Sequence, residues 1–452
     1  MIGLLFILST IVAFVAWKIF KLKLLSPTVW AAGMFSIYSL IYILTFNTML
    51  SDISVTTVLI IFGFLCVTFF GEYCAICLVG NKVVKKQADF GISGPIFVSK
   101  RVTLILTLIF LVVAVTRFYN LYLFALKSGD SFSNIIEMLS VARKYFVASN
   151  RTVVLGNFIF NQFVYVCEIA TYIYIFIFMY NLMVHKVKNY YLLLPVVPDF
   201  IIRIVTTSRS AFIILFLAVL IFYIFIMQKM GKNVFKIPLK LLLLFICFVI
   251  FFIWYGIARN SVNDISLIDY LQMYTCSAIY NFNKYITNGW GENPYFGFYT
   301  LQGIYEFLGI KHSVSLGWDS FLVFSTNGIR SNLYTSLAYT IQDYGIFGML
   351  LIKFIESFLG TIVLRKFYNS KLKSNSFYVS IFFAIAVIYC YLWSPIGNVF
   401  VGYYGSPDLM IRYFIYGYIL VKFILKPKFK MNSSNNLNAI LINKTGRSKI
   451  NA

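Results

Sequence analysis

The chain has 452 residues, of which 60% are hydrophobic and only 12% are charged, and its mean hydropathy is +0.84. Because a soluble globular domain carries about 25% charged residues, this composition excludes that class and indicates a polytopic membrane protein. The net charge of +23 comes mainly from lysines that flank hydrophobic segments. Such flanking charge reflects membrane topology, so no nucleic-acid partner is expected.

Hydrophobic segments of membrane-spanning length recur along the whole chain. Each transmembrane helix needs about 20 apolar residues, and on that basis we predict an all-α polytopic membrane protein with about eleven transmembrane helices. The predicted helices occupy approximately residues 2–20, 28–48, 55–80, 102–124, 152–183, 190–206, 210–228, 238–257, 345–364, 376–393 and 409–425.

The connections between these helices alternate in lysine content. Lysines follow every odd-numbered predicted helix, at positions that include Lys18, Lys82, Lys186, Lys229 and Lys366, and the tail after the last helix is also basic. Cytoplasmic connections accumulate Lys and Arg. The alternation therefore predicts an N-terminus outside and a C-terminus in the cytoplasm.

Two predicted outer segments are too long to be simple turns. Residues 125–151 contain the 3–4 spaced apolar pattern of an amphipathic helix that lies on the membrane. Residues 258–344 form a large extracytoplasmic loop, for which Pro294 and several glycines predict two or three short, partly re-entrant helices. The predicted organisation is a bundle of about eight helices over 1–257, the loop over 258–344, transmembrane helices over 345–430 and a disordered tail over 431–452.

The arginines follow a different distribution from the lysines. Arg101, Arg365 and Arg447 fall in predicted cytoplasmic segments, whereas the other eight of the eleven lie outside or near the outer membrane surface. Topology does not require a guanidinium there, and a guanidinium binds planar anions through paired hydrogen bonds. The outer or membrane-depth arginines are Arg117, Arg143, Arg151, Arg203, Arg209, Arg259, Arg330 and Arg412.

These outer arginines suggest two different roles. Arg143, Arg209, Arg259 and Arg330 are candidates for anion binding. In the run Thr206-Thr207-Ser208-Arg209-Ser210, hydroxyl groups and a guanidinium in a short outer turn suit a phosphate oxygen; the alternative is an arginine that extends to the interface. For Arg117, Arg203 and Arg412, nearer membrane depth, the alternative is structural pairing with Glu168, Asp199 or Asp408.

The large loop also carries many aromatic rings among Asn, Asp, Glu and Gln side chains. Rings that stack on pyranoses suit a sugar ligand, although an aromatic belt at the membrane interface has the same composition. The rings concerned are Tyr270, Tyr274, Tyr280, Tyr285, Trp290, Tyr295, Tyr299, Tyr305, Trp318, Tyr334 and Tyr339.

The same loop contains the candidate proton acceptors. A general base must be able to take a proton from an attacking hydroxyl, and His312, Asp319 and Asp343 qualify by residue type. Asp343 has the alternative role of fixing an arginine. The sequence shows no metal-ligand constellation such as HExxH or Asp-x-Asp, so neither a metal nor a cofactor is expected.

Three short motifs resemble those of the Wzy-type oligosaccharide repeat-unit polymerases, which act in bacterial O-antigen and capsule synthesis. The first is Thr207-Ser208-Arg209-Ser210-Ala211, at the start of a helix. The second is Pro294-Tyr295-Phe296-Gly297-Phe298-Tyr299-Thr300 followed by Glu306-Phe307-Leu308-Gly309. The third is Asn332-Leu333-Tyr334-Thr335 followed by Gln342-Asp343-Tyr344-Gly345, in which Tyr344 replaces the usual Phe.

The resemblance implies a glycosyltransferase in the bacterial cytoplasmic membrane. It would join undecaprenyl-pyrophosphate-linked oligosaccharides on the outer side of the membrane, and a chain-length regulator protein is a possible partner. Arg143, Arg209, Arg259 and Arg330 would bind the pyrophosphates, and His312 or Asp319 would deprotonate the acceptor. Ser208, Ser210, Asn332, Tyr334 and Thr335 would add substrate contacts.

Two other functions remain open on the sequence alone. An O-antigen ligase-like glycosyltransferase shares the architecture and would use a differently placed His, which His312 leaves possible. A lipid-linked oligosaccharide flippase or other transporter would more often show paired repeats and broken helices near the membrane midplane. A scaffolding role is disfavoured by the outer arginines.

Overall fold

The computed structural model of the chain describes residues 1–20, 22–79, 90–92, 94–129, 131–148, 157–205, 210–234, 243, 247, 250, 267–288, 296–310, 321–397, 399 and 406–425. These residues are predominantly α-helical, with one short antiparallel hairpin among them. The predicted helix at 238–257 and the tail at 431–452 lie outside or almost outside this description.

The described helices and strands follow one another along the chain in this order. The first eight helices are α1 (Ile2–Ile19), α2 (Pro27–Leu44), α3 (Val55–Val79), α4 (Lys100–Leu126), α5 (Ile135–Ala148), α6 (Phe158–His185), α7 (Val196–Val205) and α8 (Ser210–Lys229). After them come α9 (Leu267–Asn288), α10 (Gln302–Phe307), β1 (Leu322–Val323), β2 (Arg330–Ser331), α11 (Ser336–Asn369), α12 (Asn375–Leu392) and α13 (407–425).

Eight of the described helices are long and apolar enough to cross a membrane: α1, α2, α3, α4, α6, α8, α11 and α12. They coincide with eight of the predicted segments, because an uninterrupted apolar run of this length is favourable as a helix in lipid. The chain is therefore a helical polytopic membrane protein.

Two predicted segments differ from a continuous apolar span. In 190–206 the chain forms a 3₁₀ turn at Tyr190–Leu193 and then α7, whose ten residues extend about 15 Å, half the thickness of a hydrocarbon core. Pro195 lies between the two pieces and cannot supply a helical N–H donor. The segment at 409–425 is helical as α13, but it carries Asp408, Arg412 and Lys422 and is not among the eight apolar spans.

The lysine-bearing connections meet at one end of the bundle. The Gln228 amide donates to the carbonyl of Leu22, and Lys229 lies over the ring of Tyr368 at 4.6 Å. Farther along the same end, the backbone N–H of Leu372 donates to the carbonyl of Phe90. Asn181 exchanges two hydrogen bonds with the backbone of Ile96. The connections that carry lysines in the sequence thus lie together at one end of the bundle.

One hydrophobic core connects the first helix to the last. It contains Leu5 of α1, Phe64 of α3, Phe282 of α9 and Leu425 of α13. The core therefore runs through three of the predicted segments, 1–257, 258–344 and 345–430, so the large loop is not a separate unit. Its principal helix, α9, is 22 residues long rather than short. Buried polar residues lower the hydropathy of α9, which is why its length was not apparent from hydrophobic run length.

Close helix approach fixes the packing of α3 on α11. A Cβ atom at Gly71 would lie 2.6 Å from the carbonyl oxygen of Phe354, so the two backbones approach to a distance that only glycine permits. Near the same contact, the hydroxyl of Ser357 donates to the carbonyl of Thr68 at 2.6 Å. These contacts join helices separated by more than half the chain.

The arginine near the end of α11 is buried within the bundle. The side chain of Arg365, which lies in a predicted cytoplasmic segment, is only 1% exposed. It lies near the carboxylate of Glu72, which accepts hydrogen bonds from the hydroxyls of Ser26 and Thr28. Electrostatic attraction between this guanidinium and the buried carboxylate favours the position of Arg365 inside the bundle.

Candidate functional site

The bundle end opposite the lysines carries α9, the hairpin and the start of α11, and α9 holds these pieces together. The amide of Asn281 donates to the backbone carbonyls of Ser331 and Leu333, at 3.0 and 2.9 Å. One turn earlier, the hydroxyl of Ser277 donates to that of Ser331. The polar face of α9 thereby fixes the strand that leads into the Asn332-Leu333-Tyr334-Thr335 motif.

The connection between α2 and α3 supports the same region from the other side. Asn283 accepts hydrogen bonds from the backbone N–H of Ser54 and the hydroxyl of Thr57. The backbone N–H of Leu50 donates to the carbonyl of Phe324 next to β1. This end of the molecule is therefore cross-braced by polar contacts between segments that are distant in sequence.

The second and third sequence motifs meet at Asp343. Its carboxylate accepts hydrogen bonds from the backbone N–H groups of Tyr299 and Thr300, the latter at 2.7 Å, and from the hydroxyl of Thr300 at 2.7 Å. These contacts span 43 and 44 residues of sequence. The carboxylate thus fixes the turn formed by residues 296–300 against the start of α11.

Tyr344 adds a second link between the same two motifs. Its hydroxyl is 2.6 Å from the hydroxyl of Thr300, and its ring contacts that of Phe296 with centroids 4.9 Å apart. Gly297 has φ +67, and a Cβ there would lie 2.9 Å from the Tyr344 hydroxyl oxygen. Tyr344 therefore contributes a hydrogen bond that a Phe at this position could not form.

A bend in α11 positions Asp343 and Tyr344. Gly345 has φ 68 and ψ −179, a conformation that interrupts the helix after Tyr344 and is essentially restricted to glycine. The Gln342 side-chain oxygen, one turn above the bend, accepts a hydrogen bond from the hydroxyl of Tyr285 at 3.1 Å. Burial raises the pKa of Tyr285 to about 12, with further contributions from Tyr299 and Asp343, so this hydroxyl is a protonated donor at neutral pH.

The remaining predicted residues of the third motif lie in different environments. Arg330, in β2, is exposed and forms no ion pair with any carboxylate of the described residues, whereas Asn332 is half-buried. The ring of Tyr334 is buried in the core at 1% exposure, and Thr335 is also buried at the start of α11. Arg330 and Asn332 are thus accessible from outside, and Tyr334 and Thr335 support them from within.

Most of the aromatic rings of the large loop that the structure describes serve packing. Five of those named from the sequence are buried: Tyr270, Tyr280, Tyr285, Tyr334 and Tyr339. The side chains of Phe296 and Phe307, in contrast, are strongly exposed. Among the described rings, a stacking surface for a sugar could use the partly exposed Tyr274, Tyr299 and Tyr305 together with these Phe side chains.

A second group of candidate residues lies at the end of α7 and the start of α8. Arg203 donates from Nε to the carboxylate of Asp199 at 2.8 Å, and its second terminal nitrogen lies 3.6 Å from Glu168. The first terminal nitrogen donates to the carbonyl of Ala211 at 2.6 Å. Arg203, near the end of α7, thus connects that helix by a hydrogen bond to the start of α8. Between the two helices lie residues 206–209, and among them are Ser208 and Arg209, predicted to bind an anion.

The predicted structural pairing of the membrane-depth arginines is confirmed for two of the three. Arg203 pairs with Asp199, and Arg412 pairs with Asp408 at 2.9 Å. Arg117 instead donates to the side-chain oxygen of Asn161 at 3.0 Å. The i, i+4 spacing on one helix face explains why the first two pairs were recognisable in the sequence.

The predicted amphipathic segment packs against this second group. Met138, Leu139, Val141 and Ala142 of α5 form a small hydrophobic cluster that includes Val205, the last residue of α7. Arg143 follows Ala142 directly, and residues 206–209 follow Val205. The structure thus brings the backbone of α5 that carries Arg143 close to Val205, the residue that precedes 206–209.

Several predicted site residues lie outside the described part of the chain. These are Ser208, Arg209, Arg259, His312 and Asp319; Ser210 is described only as the first residue of α8, and the side chain of Arg143 is also outside the description. The described residues form two groups, one around Asp343 and one around Arg203, and no contact between the groups is described. Among the residues that the structure describes, no cluster of His, Cys, Asp or Glu is arranged to hold a metal ion.

Sequence reasoning missed the residues that organise the site from α9. Asn281 and Asn283 were not singled out, although amide side chains on an otherwise apolar helix face are expensive to bury unless they are hydrogen-bonded. The spacing of Ser277, Asn281 and Lys284 with Asn283 could have indicated a polar face directed toward other protein segments. Comparison with known proteins gives no further guidance, since no protein-family model, curated protein or solved structure matches this chain.

Proposed function

We propose that the protein is a polymerase that joins undecaprenyl-pyrophosphate-linked oligosaccharide repeat units on the outer side of a bacterial cytoplasmic membrane. The observation that carries the proposal is the junction at Asp343, where two of the three motifs that resemble the polymerase family are hydrogen-bonded to one another. This contact brings residues of both motifs to one place, which supports a shared site.

The arginines supply the chemistry in this proposal. Arg143, Arg209, Arg259 and Arg330 would bind the pyrophosphate groups of donor and acceptor. Their guanidinium groups would stabilise the negative charge that develops on the leaving pyrophosphate, which is usually the largest contribution to catalysis of this kind. The proximity of α5 to the end of α7 supports a shared role for Arg143 and Arg209.

In this proposal Asp343 positions a turn of the site, and His312 and Asp319 are the candidates for proton transfer. Asp343 accepts hydrogen bonds from Tyr299 and Thr300, which suits a positioning residue for the turn at 296–300. His312 and Asp319 are the remaining proposed general bases for the acceptor hydroxyl. The proton-acceptor role first predicted for Asp343 stays a prediction beside its positioning role.

Deletion of the gene followed by electrophoresis of the surface polysaccharide tests the proposed function. A polymerase deletion should leave single repeat units in place of a ladder of lengths. Free lipid-linked polymer that is not attached to its acceptor would instead indicate a ligase. Repeat units confined to the inner leaflet would indicate a flippase, and either result would refute the proposal.

The role of the arginines is tested by charge-conserving substitution. Arg209→Lys and Arg259→Lys should abolish the ladder while leaving the protein level unchanged, because lysine keeps the charge but loses the planar pair of donors. Arg101→Lys, in a predicted cytoplasmic segment, is the matched control and should leave the ladder intact. Normal polymer from both outer variants would exclude a pyrophosphate-binding role.

A further inference from the structure

An apolar groove runs between three helices at the lysine-bearing end of the bundle. α12 forms its floor, and α11 and α13 form its walls; the volume is about 740 Å³. Both walls are held against the floor by close glycine contacts. A Cβ at Gly360 would lie 3.0 Å from Val387, and one at Gly417 would lie 3.1 Å from Phe382.

The groove has one polar end and one apolar end. Lys366, Asn375 and Ser376 line the polar end, where α11 finishes and α12 begins, whereas Leu359, Phe383 and Met410 line the other. Because the chain reverses direction between α11 and α12 within a few residues, these polar groups lie at the same level. The ammonium group of Lys366 therefore lies at the polar end of an otherwise apolar groove.

A second lysine reinforces the polar end. Lys422 lies over the ring of Tyr418, with its Nζ 4.0 Å from the ring centroid, and Tyr418 itself lines the groove. Tyrosine and lysine together at one level are typical of the headgroup region of a membrane. The lysine end of the bundle is the predicted cytoplasmic end.

The length of the groove corresponds to one leaflet. From Asn375 to Phe383 the floor helix rises about 12 Å at 1.5 Å per residue, and one leaflet of hydrocarbon is about 15 Å thick. An acyl chain whose headgroup lies at Lys366 would therefore extend along the whole groove. The volume of the groove also falls in the usual range of pockets for small ligands.

We propose that this groove binds one anionic phospholipid of the leaflet at the lysine end. Its phosphate contacts the ammonium group of Lys366, and an acyl chain lies along α12 between Val363 and Phe414. Charge complementarity favours an anionic lipid over a zwitterionic one. It also opposes a second copy of this chain, because a parallel copy in the same membrane would bring another lysine-rich end against Lys366.

The test measures lipid retained by the full-length protein. The wild type and variants are reconstituted with equal amounts of phosphatidylglycerol and phosphatidylcholine and purified in detergent, and bound lipid is quantified by mass spectrometry. The wild type should retain phosphatidylglycerol preferentially. Lys366→Gln should retain about five-fold less of it, as expected for the loss of one lysine near a headgroup.

Two further variants separate the groove from general surface charge. Val363→Phe should fill the groove and reduce retention of both lipids, while Lys18→Gln, at the same bundle end but on α1, should behave as the wild type. Equal retention by Lys366→Gln and the wild type would overturn the proposal. So would equal retention of the two lipids by the wild type, or a cross-linked dimer through residues introduced at Leu359 and Phe414.

Discussion

The buried arginine Arg203 allows the energetic argument of the second residue group to be tested directly. Its guanidinium contacts the carboxylates of Asp199 and Glu168 and the carbonyl of Ala211. Arg203→Met keeps a long side chain but removes the charge and every donor. The carboxylate of Asp199, whose side chain is 2% exposed, then stays buried without its principal counter-charge.

The expected cost is large for a single substitution. Removing one partner of a buried ion pair costs about 3–5 kcal/mol, and the lost hydrogen bond to Ala211 adds about 1 kcal/mol. Arg412→Met is the matched control, since Arg412 also pairs with an aspartate four residues away. The side chains of that pair are 25% and 42% exposed, so we expect a loss of about 1 kcal/mol or less.

The assay is equilibrium unfolding of the purified protein in detergent, followed by circular dichroism. The double variant Arg203→Met with Asp199→Asn removes both charges and should regain at least about 2 kcal/mol relative to Arg203→Met alone. If Arg203→Met and Arg412→Met lose equal stability, burial is not the decisive factor. A double variant no more stable than the single one would show that Asp199 is not the penalised group.

Four further predictions concern glycines, the motif junction and a helix cap. Gly345→Ala should lower the free energy of unfolding by about 1–3 kcal/mol through backbone strain, because no atom of the described residues beyond its chain neighbours lies within 4 Å of the added Cβ, while Gly33→Ala in α2 should be neutral or stabilising. Gly71→Ala should cost about 1–3 kcal/mol through collision with Phe354, whereas Gly63→Ala, 3.5 Å from Leu350, should cost little; equal losses in unfolding experiments would contradict this packing. Asp343→Ala should cost about 1–3 kcal/mol and shorten the polysaccharide ladder, whereas Tyr344→Phe should cost about 1 kcal/mol and retain the ladder, and an unchanged ladder from Asp343→Ala would remove its positioning role. Hydrogen bonds from the backbone and hydroxyl of Ser133 lower the pKa of Glu137, so its stabilisation of α5 is present above the unfolded pKa and is lost as pH falls through the folded one; amide exchange in residues 135–142 should differ between the wild type and Glu137→Gln at pH 7, and that difference should disappear in acid.

The helical framework was predictable because it depends on local sequence. Apolar runs of sufficient length located the eight described spans, and the position of Arg203 and Arg412 near membrane depth indicated their pairing with nearby carboxylates. The long helix α9 was missed for a nonlocal reason. The side-chain donor groups of the buried residues Gln272, Ser277 and Asn281 bond to distant backbone and hydroxyl groups, whereas hydropathy treats these residues as solvent-exposed.

The candidate site was predictable in residue type but not in arrangement. Asp343 was identified as an acidic group of the loop, but its partners are backbone N–H groups more than 40 residues away, which no residue pattern encodes. The role of Tyr344 depends in the same way on the hydroxyl of Thr300. The described residues thus add the junction of the motifs, while the roles of Arg209, Arg259, His312 and Asp319 stay predictions.

The packing of α3 on α11 has a consequence for biosynthesis. At about 5–20 residues per second, a ribosome needs roughly 13–50 s after completing α3 at Val79 to reach Ser336. During that interval the carboxylate of Glu72 lacks the electrostatic interaction with the Arg365 guanidinium. The hydroxyls of Ser26 and Thr28, translated earlier on α2, can already solvate its carboxylate. These hydrogen bonds between α2 and α3 can thus stabilise the Glu72 carboxylate until α11 has been synthesised.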